Sequence, residues 1–217
     1  MRGGIGVSAS LAGLAAAAFL AFPGGAAAQE FQVDLDAANV VRFISRASIE
    51  EFEGVTDRID GYVYLPGVGP DGTLPLGEPS ESELYFEVDL ASLDTGIGLR
   101  NRHMRDNYLE VEKFPYATYE ARILSVAEGS GGSGREGYRV ISQGDLSIHG
   151  VTRRVRIPCD TEPEDASGFA VRCAFQVLLS DYEIEIPRVM FLKLANEIRL
   201  EVEMHLRPAP ASSGETK

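Results

Sequence analysis

The chain predicts an all-β fold, a closed antiparallel barrel or a sandwich, with one helix. Apolar residues recur at every second position along most of its length. Turn-forming residues separate these runs at hairpin spacing, and a single stretch has helical character. The clearest run lies near the C-terminus, where Ile198, Leu200, Val202, Met204 and Leu206 alternate with Arg199, Glu201, Glu203 and His205. Leu84, Phe86, Val88 and Leu90 alternate with Tyr85, Glu87 and Asp89. Phe169, Val171, Cys173, Phe175, Val177 and Leu179 share one phase, with Arg172 and Gln176 on the other. A period of two turns one face of each strand inward and the other to water.

Weaker runs at residues 31–35, 41–47, 59–65, 117–123, 138–148 and 155–159 bring the expectation to about eight or nine strands. Residues 66–79 (PGVGPDGTLPLGEP) read as a long Gly/Pro loop, 129–134 (GSGGSG) as a flexible hairpin tip, and 161–168 as a polar turn. Residues 98–111 read as the helix, with Leu99, His103 and Met104 on one face, Asn107 and Tyr108 one turn on, and Pro115 ending it. Residues 208–217 are small and polar and read as a frayed tail.

The first 28 residues read as a secretory signal. Arg2 is a short positive region, the 12 apolar residues from Leu11 to Phe22 are too few to span a bilayer, and Ala26 and Ala28 are small residues ahead of a cut before Gln29. No Cys follows for lipidation and no Arg pair precedes the apolar run. Export is therefore expected, to the periplasm or the extracellular space, with no stable membrane insertion once the signal is removed. Cleavage leaves 189 residues and takes the net charge from −13 to −14. Such net charge opposes binding of nucleic acid or anionic lipid through charge alone.

Cys159 and Cys173 flank the polar turn at equal distances from its centre near Ala166 and share the apolar phase of their strands. Equidistant residues face each other across an antiparallel hairpin. In an oxidising compartment this predicts a cross-strand disulfide, with Cα atoms about 4.4–6.8 Å apart.

No catalytic constellation is present. His103, His149 and His205 lack ligand spacing, so no metal site is expected, and His149 and His205 fall on the outer phase by parity. There is no nucleophile-elbow, P-loop or dinucleotide fingerprint, and no cofactor is implied. The carboxylates cluster in turns, with no pair marked as acid and base. The chain is expected not to be an enzyme.

One region has family character. Residues 85–121 carry Ser92, Asp94, Thr95 and Gly96 in a turn, then Arg100, His103 and Met104, then Leu109, Lys113, Phe114 and Pro115 before a strand opening Ala117-Thr118-Tyr119. Residues 144–153 read Gly-Asp-Leu-Ser-Ile-His-Gly-Val-Thr-Arg, and 180–184 read Ser-Asp-Tyr-Glu-Ile. Together these resemble the YceI-like family of bacterial periplasmic, polyisoprenoid-binding proteins, over nearly all of residues 29–207. Three departures stand out: Ser147 replaces a Thr, Glu183 replaces a frequent Gly, and the third is at the helix opening. The family's usual Arg-Asp helix opening here reads Arg100-Asn101.

The resemblance implies a lipocalin-like antiparallel barrel of about eight strands, with the helix near one end and a long apolar cavity for an isoprenoid or similar amphiphilic lipid. Residue size is compatible with a cavity. Ser45, Ala47, Gly61, Ala117, Ala121, Ser142 and Gly144 share the inner phases with bulky aromatics. Small residues can equally serve strand coiling. The inner phases nominate Phe43, Phe86, Val88, Tyr119, Phe169, Val171, Phe175, Leu200 and Val202 as contacts for a lipid tail. Arg100, His103 and Arg105, on the helix, are nominated for a headgroup. A lipid-acting enzyme with a polar constellation in the barrel, and a solid-cored interaction protein, are the alternatives.

Overall fold

Period-two patterning becomes twelve strands and one short helix in the computed structural model. It describes residues 29–46, 51–69, 71–79, 81–130, 136–164, 168–186, 188–189, 192–193 and 195–210. The expected signal, Ala47 and the end of the tail lie outside these. The strands are β1 (Gln29–Val33), β2 (Val40–Arg46), β3 (Glu51–Thr56), β4 (Ile59–Leu65), β5 (Glu83–Asp89), β6 (Tyr116–Ser130), β7 (Glu136–Ile148), β8 (Val151–Pro163), β9 (Phe169–Leu178), β10 (Arg188–Val189), β11 (Leu192–Lys193) and β12 (Glu197–Pro208). Helix α1 (Gly98–His103) runs into a π-helical turn, Met104–Tyr108.

Ten strands form one antiparallel sheet, and it closes. β12 pairs with β9 along one edge, from Glu197↔Leu178 to Leu206↔Phe169. Along its other edge it pairs first with β2 (Ile198↔Ser45) and then with β1 (Phe31↔Pro208). β1 and β2 thus lie end to end as one interrupted strand. β3 and β4 do the same, against β2 and β1 respectively. Counting each collinear pair once gives an eight-stranded barrel, as the resemblance implies.

β3 was not legible as a strand because its inner phase carries Phe52, Gly54 and Thr56, with too little apolar bulk for a signal. Phe43 lies directly across from Gly54, where an added Cβ would come within 2.2 Å of its ring. The aromatic covers the glycine. β6 runs on to Ser130 beyond the expected 123, because the register shifts between Ile123 and Ser125. That irregularity reverses the parity: Ile123 and Val126 are both buried. β8 extends through Thr161-Glu162-Pro163, expected as turn. Pairing with β9 and an Arg172–Glu162 ion pair at 2.9 Å hold these polar residues in the sheet. The tail begins later than expected, since Pro208 pairs with Phe31 and Ala209 N donates to Glu30 O.

Two of the small inner residues serve strand approach and not lumen volume. An added Cβ at Gly61 would lie 2.1 Å from Tyr85 O, and one at Gly144 would lie 2.1 Å from Glu120 O. Between β7 and β8, His149 and Gly150 both have positive φ (54° and 75°), the pattern of a two-residue hairpin turn. Glu183, standing where the family often has a glycine, takes the left-handed conformation itself, with φ 56°.

Cys159 and Cys173 are directly opposed and bonded, with Cα atoms 4.2 Å apart. This is slightly closer than expected, as suits a directly opposed antiparallel pair. The bridge clamps β8 to β9 on the inner face. Replacing both cysteines by alanine is expected to lower stability by about 3 kcal/mol, read from denaturant midpoints against the oxidised wild type.

Candidate functional site

The barrel encloses a cavity of about 900 Å³. Phe31, Leu65, Leu74 and Phe169 wall it at one end and are all buried. There Phe31 and Phe169 meet edge to face, 5.2 Å between ring centres. The loop after β4 folds in rather than outward: Val68 and Leu74 are buried, Leu74 N donates to Tyr138 Oη at 3.3 Å, and Gly77 exchanges two backbone hydrogen bonds with Val126. A Gly/Pro-rich sequence gives no sign of such a plug, because two isolated apolar residues have no period.

The other end is open. Among the described residues that line the cavity, the exposed ones are Ile97, Leu99 and His103, all at the helix. β6 begins and β9 ends at this same end. The middle of the lumen is apolar and unfilled. Phe43, Val88, Phe175, Leu200 and Val202 point inward yet are only half-buried, because the surface they retain faces the cavity.

All nine residues nominated for a lipid tail line this cavity. Of the small inner residues, Ser45, Ala117 and Ser142 also line it, whereas Gly61, Ala121 and Gly144 do not. Phe52 also lines it, and sequence reasoning missed it together with its strand. Its ring stands edge-on to Phe43 at 5.9 Å, beneath the Arg100 guanidinium at 4.8 Å.

The helix differs from its expected course. The α-helical part ends at His103; Leu99, His103 and Met104, expected on one face, all line the cavity together with Tyr108, with Leu99 and His103 exposed at its edge. Arg100 and His103 stand at the mouth, but Arg105 does not line it; Arg105 Nη2 donates to Leu93 O at 2.8 Å. Arg100 donates to Thr95 Oγ1 and O at 2.9 and 2.6 Å. Asn101 explains the departure from the usual Asp. Its Oδ1 accepts from Thr95 N and Oγ1 while its Nδ2 donates to Asp94 Oδ1 at 2.7 Å, and a carboxylate has no N–H for that last bond.

Just outside the mouth, His149 is a clasp and not the solvated outer residue that parity suggests. Nδ1 lies 3.2 Å from Tyr182 O, Nε2 lies 3.1 Å from Glu110 Oε2, and the ring sits edge-on to Phe114 at 5.0 Å. It ties the segment after the helix to the β7–β8 turn and to the turn after β9. His205 does keep to the outer face, 2.9 Å from Glu164 Oε2.

The lumen holds one buried polar pair. Tyr119 Oη and Ser142 Oγ are 3.0 Å apart, and Ser142 Oγ donates to Ile157 O at 3.3 Å. Burial pushes the Tyr119 phenol up, and no base stands beside Ser142 in this pair, so its role is to satisfy buried hydroxyls. Among the described residues no group of three metal-ligating side chains converges.

Among the described residues, Ser45 Oγ and Tyr182 Oη find no hydrogen-bond partner and are buried, in residues 1% and 2% exposed. An unsatisfied buried hydroxyl costs about 1–3 kcal/mol. Ser45→Ala and Tyr182→Phe are therefore expected to raise the melting temperature, each by about 1 kcal/mol or more in stability, measured calorimetrically. The clasp has a pH signature. The Glu110 carboxyl is held below its ordinary range by Lys113 first and by His149 next. A depressed carboxyl stabilises the fold above its unfolded pKa, and that contribution is lost as pH falls through its folded value. The melting-temperature gap between wild type and Glu110→Gln is expected to be present at pH 7 and to close below the ordinary carboxylate range.

The chain matches the YceI-like domain over residues 31–206. A UPF0312 protein of Photorhabdus laumondii is 28% identical over 151 residues, covering 67% of this chain and 68% of the relative. Another, from Serratia proteamaculans, is 30% identical over 152 residues with the same coverage. Among solved structures, a polyisoprenoid binding domain from Saccharophagus degradans, implicated in plant cell wall breakdown, aligns with a TM-score of 0.62 at 19% identity. It covers 82% of this chain and 98% of its own. BcnA of Burkholderia cenocepacia aligns at 0.61 and 19% identity, covering 80% and 98%. These two likenesses concern the barrel fold. The match across residues 31–206 goes further, and with it the chain belongs to the YceI-like domain family.

Proposed function

We propose that this protein is a binding protein that holds the tail of an isoprenoid or similar amphiphilic lipid along the barrel axis. The observation that carries this is the apolar cavity of about 900 Å³, plugged at one end and open at the other. That volume lies toward the upper end of the roughly 300–1,000 Å³ typical of small-molecule and cofactor sites. Each buried methylene contributes about 0.8 kcal/mol before ordering costs, so a tail needs no polar contact to be retained. Phe43, Phe86, Val88, Tyr119, Phe169, Val171, Phe175, Leu200 and Val202 form its walls, and the aromatics supply much of the contact area.

Arg100 and His103 stand where a headgroup would emerge, and their N–H groups suit an anionic or carbonyl-bearing one. The polyisoprenoid binding domain of Saccharophagus degradans, alike in fold, supports the ligand class. The signal-like residues 1–28 support a periplasmic setting. Nothing in the lumen supports the alternative of catalysis on a bound lipid, and a cavity of this size counts against a solid-cored interaction protein.

Mass spectrometry of organic extracts from protein purified out of its own cells is expected to yield a polyprenyl or similar lipid. Val202→Trp and Val171→Trp fill the lumen and should block tail uptake, at about 1–3 kcal/mol from overpacking. A folded Trp variant that binds as well as wild type places the tail elsewhere. Wild type that carries no lipid and takes up no polyprenyl chain overturns the function.

A further inference from the structure

The described residues contain six large apolar side chains that are exposed: Leu35, Leu76, Ile97, Leu99, Tyr116 and Leu178. Four of them stand at the helix end of the barrel, since Tyr116 opens β6, Leu178 closes β9, and Ile97 and Leu99 flank the start of α1. Ile97 is 52% exposed and Leu99 is 59% exposed, yet both also line the cavity. One apolar surface therefore runs without a break from the lumen out over the rim. A rim left open to water in this way is unfavourable by its apolar area unless something covers it.

Charge around the rim departs from the rest of the molecule. The chain carries −13 overall, but residues 97–105 hold Arg100, Arg102 and Arg105 with His103 and no acid. The acids flanking that stretch are Asp94, Asp106, Glu110 and Glu112, and of these Glu110 is paired with Lys113 and His149. Apolar side chains projecting among arginines match the boundary of a bilayer, where the first enter the acyl region and the second meet anionic headgroups.

We propose that the Ile97–Leu99 rim docks the cavity mouth onto an anionic lipid bilayer, so that a tail passes between bilayer and lumen without crossing water. This extends the lipid-binding reading but is tested apart from it, because docking is measured with no added ligand. The mature chain, residues 29–217, is floated with vesicles of phosphatidylcholine and phosphatidylglycerol (7:3) and with vesicles of phosphatidylcholine alone. Wild type is expected to float with the mixed vesicles, and less well with the neutral ones or in high salt. Ile97→Asp and Leu99→Asp are each expected to weaken flotation about tenfold, with circular dichroism and melting temperature showing that they fold. Leu35→Asp, on the turn between β1 and β2, is the control and should float as wild type does.

Failure of wild type to float overturns the proposal even if extracted protein carries lipid. So does unchanged flotation of the Ile97→Asp/Leu99→Asp double variant, or an equal loss in Leu35→Asp. A concentration-dependent dimer that needs Ile97 and Leu99, with no flotation, assigns the rim to a second copy of the chain instead. Equal flotation with both vesicle types overturns the part given to the arginines.

Discussion

β12 is the constraint on which the rest depends. It is the strand that turns a long sheet into a ring, because its two edges face β9 on one side and the collinear pair β1 and β2 on the other. Closure satisfies the backbone groups that an open sheet would leave at its edges. It also fixes the strand number, and the strand number fixes the width of the lumen. Eight strands give an interior that side chains can just fill. Whether they fill it is then a matter of residue size at the inner positions, and Val202 opposite Val41 and Cys173, with Leu200 opposite Phe43 and Phe175, leaves the middle of the ring open.

This division of labour explains what was legible in the sequence. Alternation reports which face of a strand is wet, so β5, β9 and β12 were plain, and the inner residues they nominate do line the cavity. The disulfide was plain for the same reason, since hairpin symmetry and phase are both properties of local spacing. β3 was hidden because a glycine and a threonine occupy its inner positions, and their cover comes from Phe43 on a neighbouring strand. The second half of β6 was hidden because one irregularity reverses the parity. Long-range cover and broken register leave no local period to read.

The plug and the mouth were illegible for a further reason. Val68 and Leu74 are single apolar residues in a loop, and their burial follows from where the loop lands. Leu99 shows the converse case. Helical spacing put it on one face with Met104, and both line the cavity, but Leu99 sits at the start of a helix that stops after His103 and is open to water where Met104 is half-buried. The arginines that sequence grouped together also separate by role. Arg105 is committed to the Leu93 carbonyl, whereas Arg100 lies over Phe52 at the edge of the cavity.

The directional groups and the apolar volume are kept apart in this molecule, and that separation bears on what selects a ligand. The lumen attracts by area and has no direction, so it distinguishes ligands by length and girth and by little else. Among the described residues its Tyr119–Ser142 pair is satisfied within the wall, and Ser45 and Tyr182, which also line it, carry the hydroxyls left without a partner. Charged hydrogen-bond donors stand at the mouth, where Arg100 is braced by Thr95 and Phe52 and the turn beneath it is locked by Asn101. On the proposed function, recognition of a headgroup would depend on a segment held by side-chain bonds, while retention of the tail would depend on the ring. On that proposal, a change at Thr95 or Asn101 would alter which headgroup is accepted and leave the affinity for the tail to the barrel, because neither residue lines the cavity.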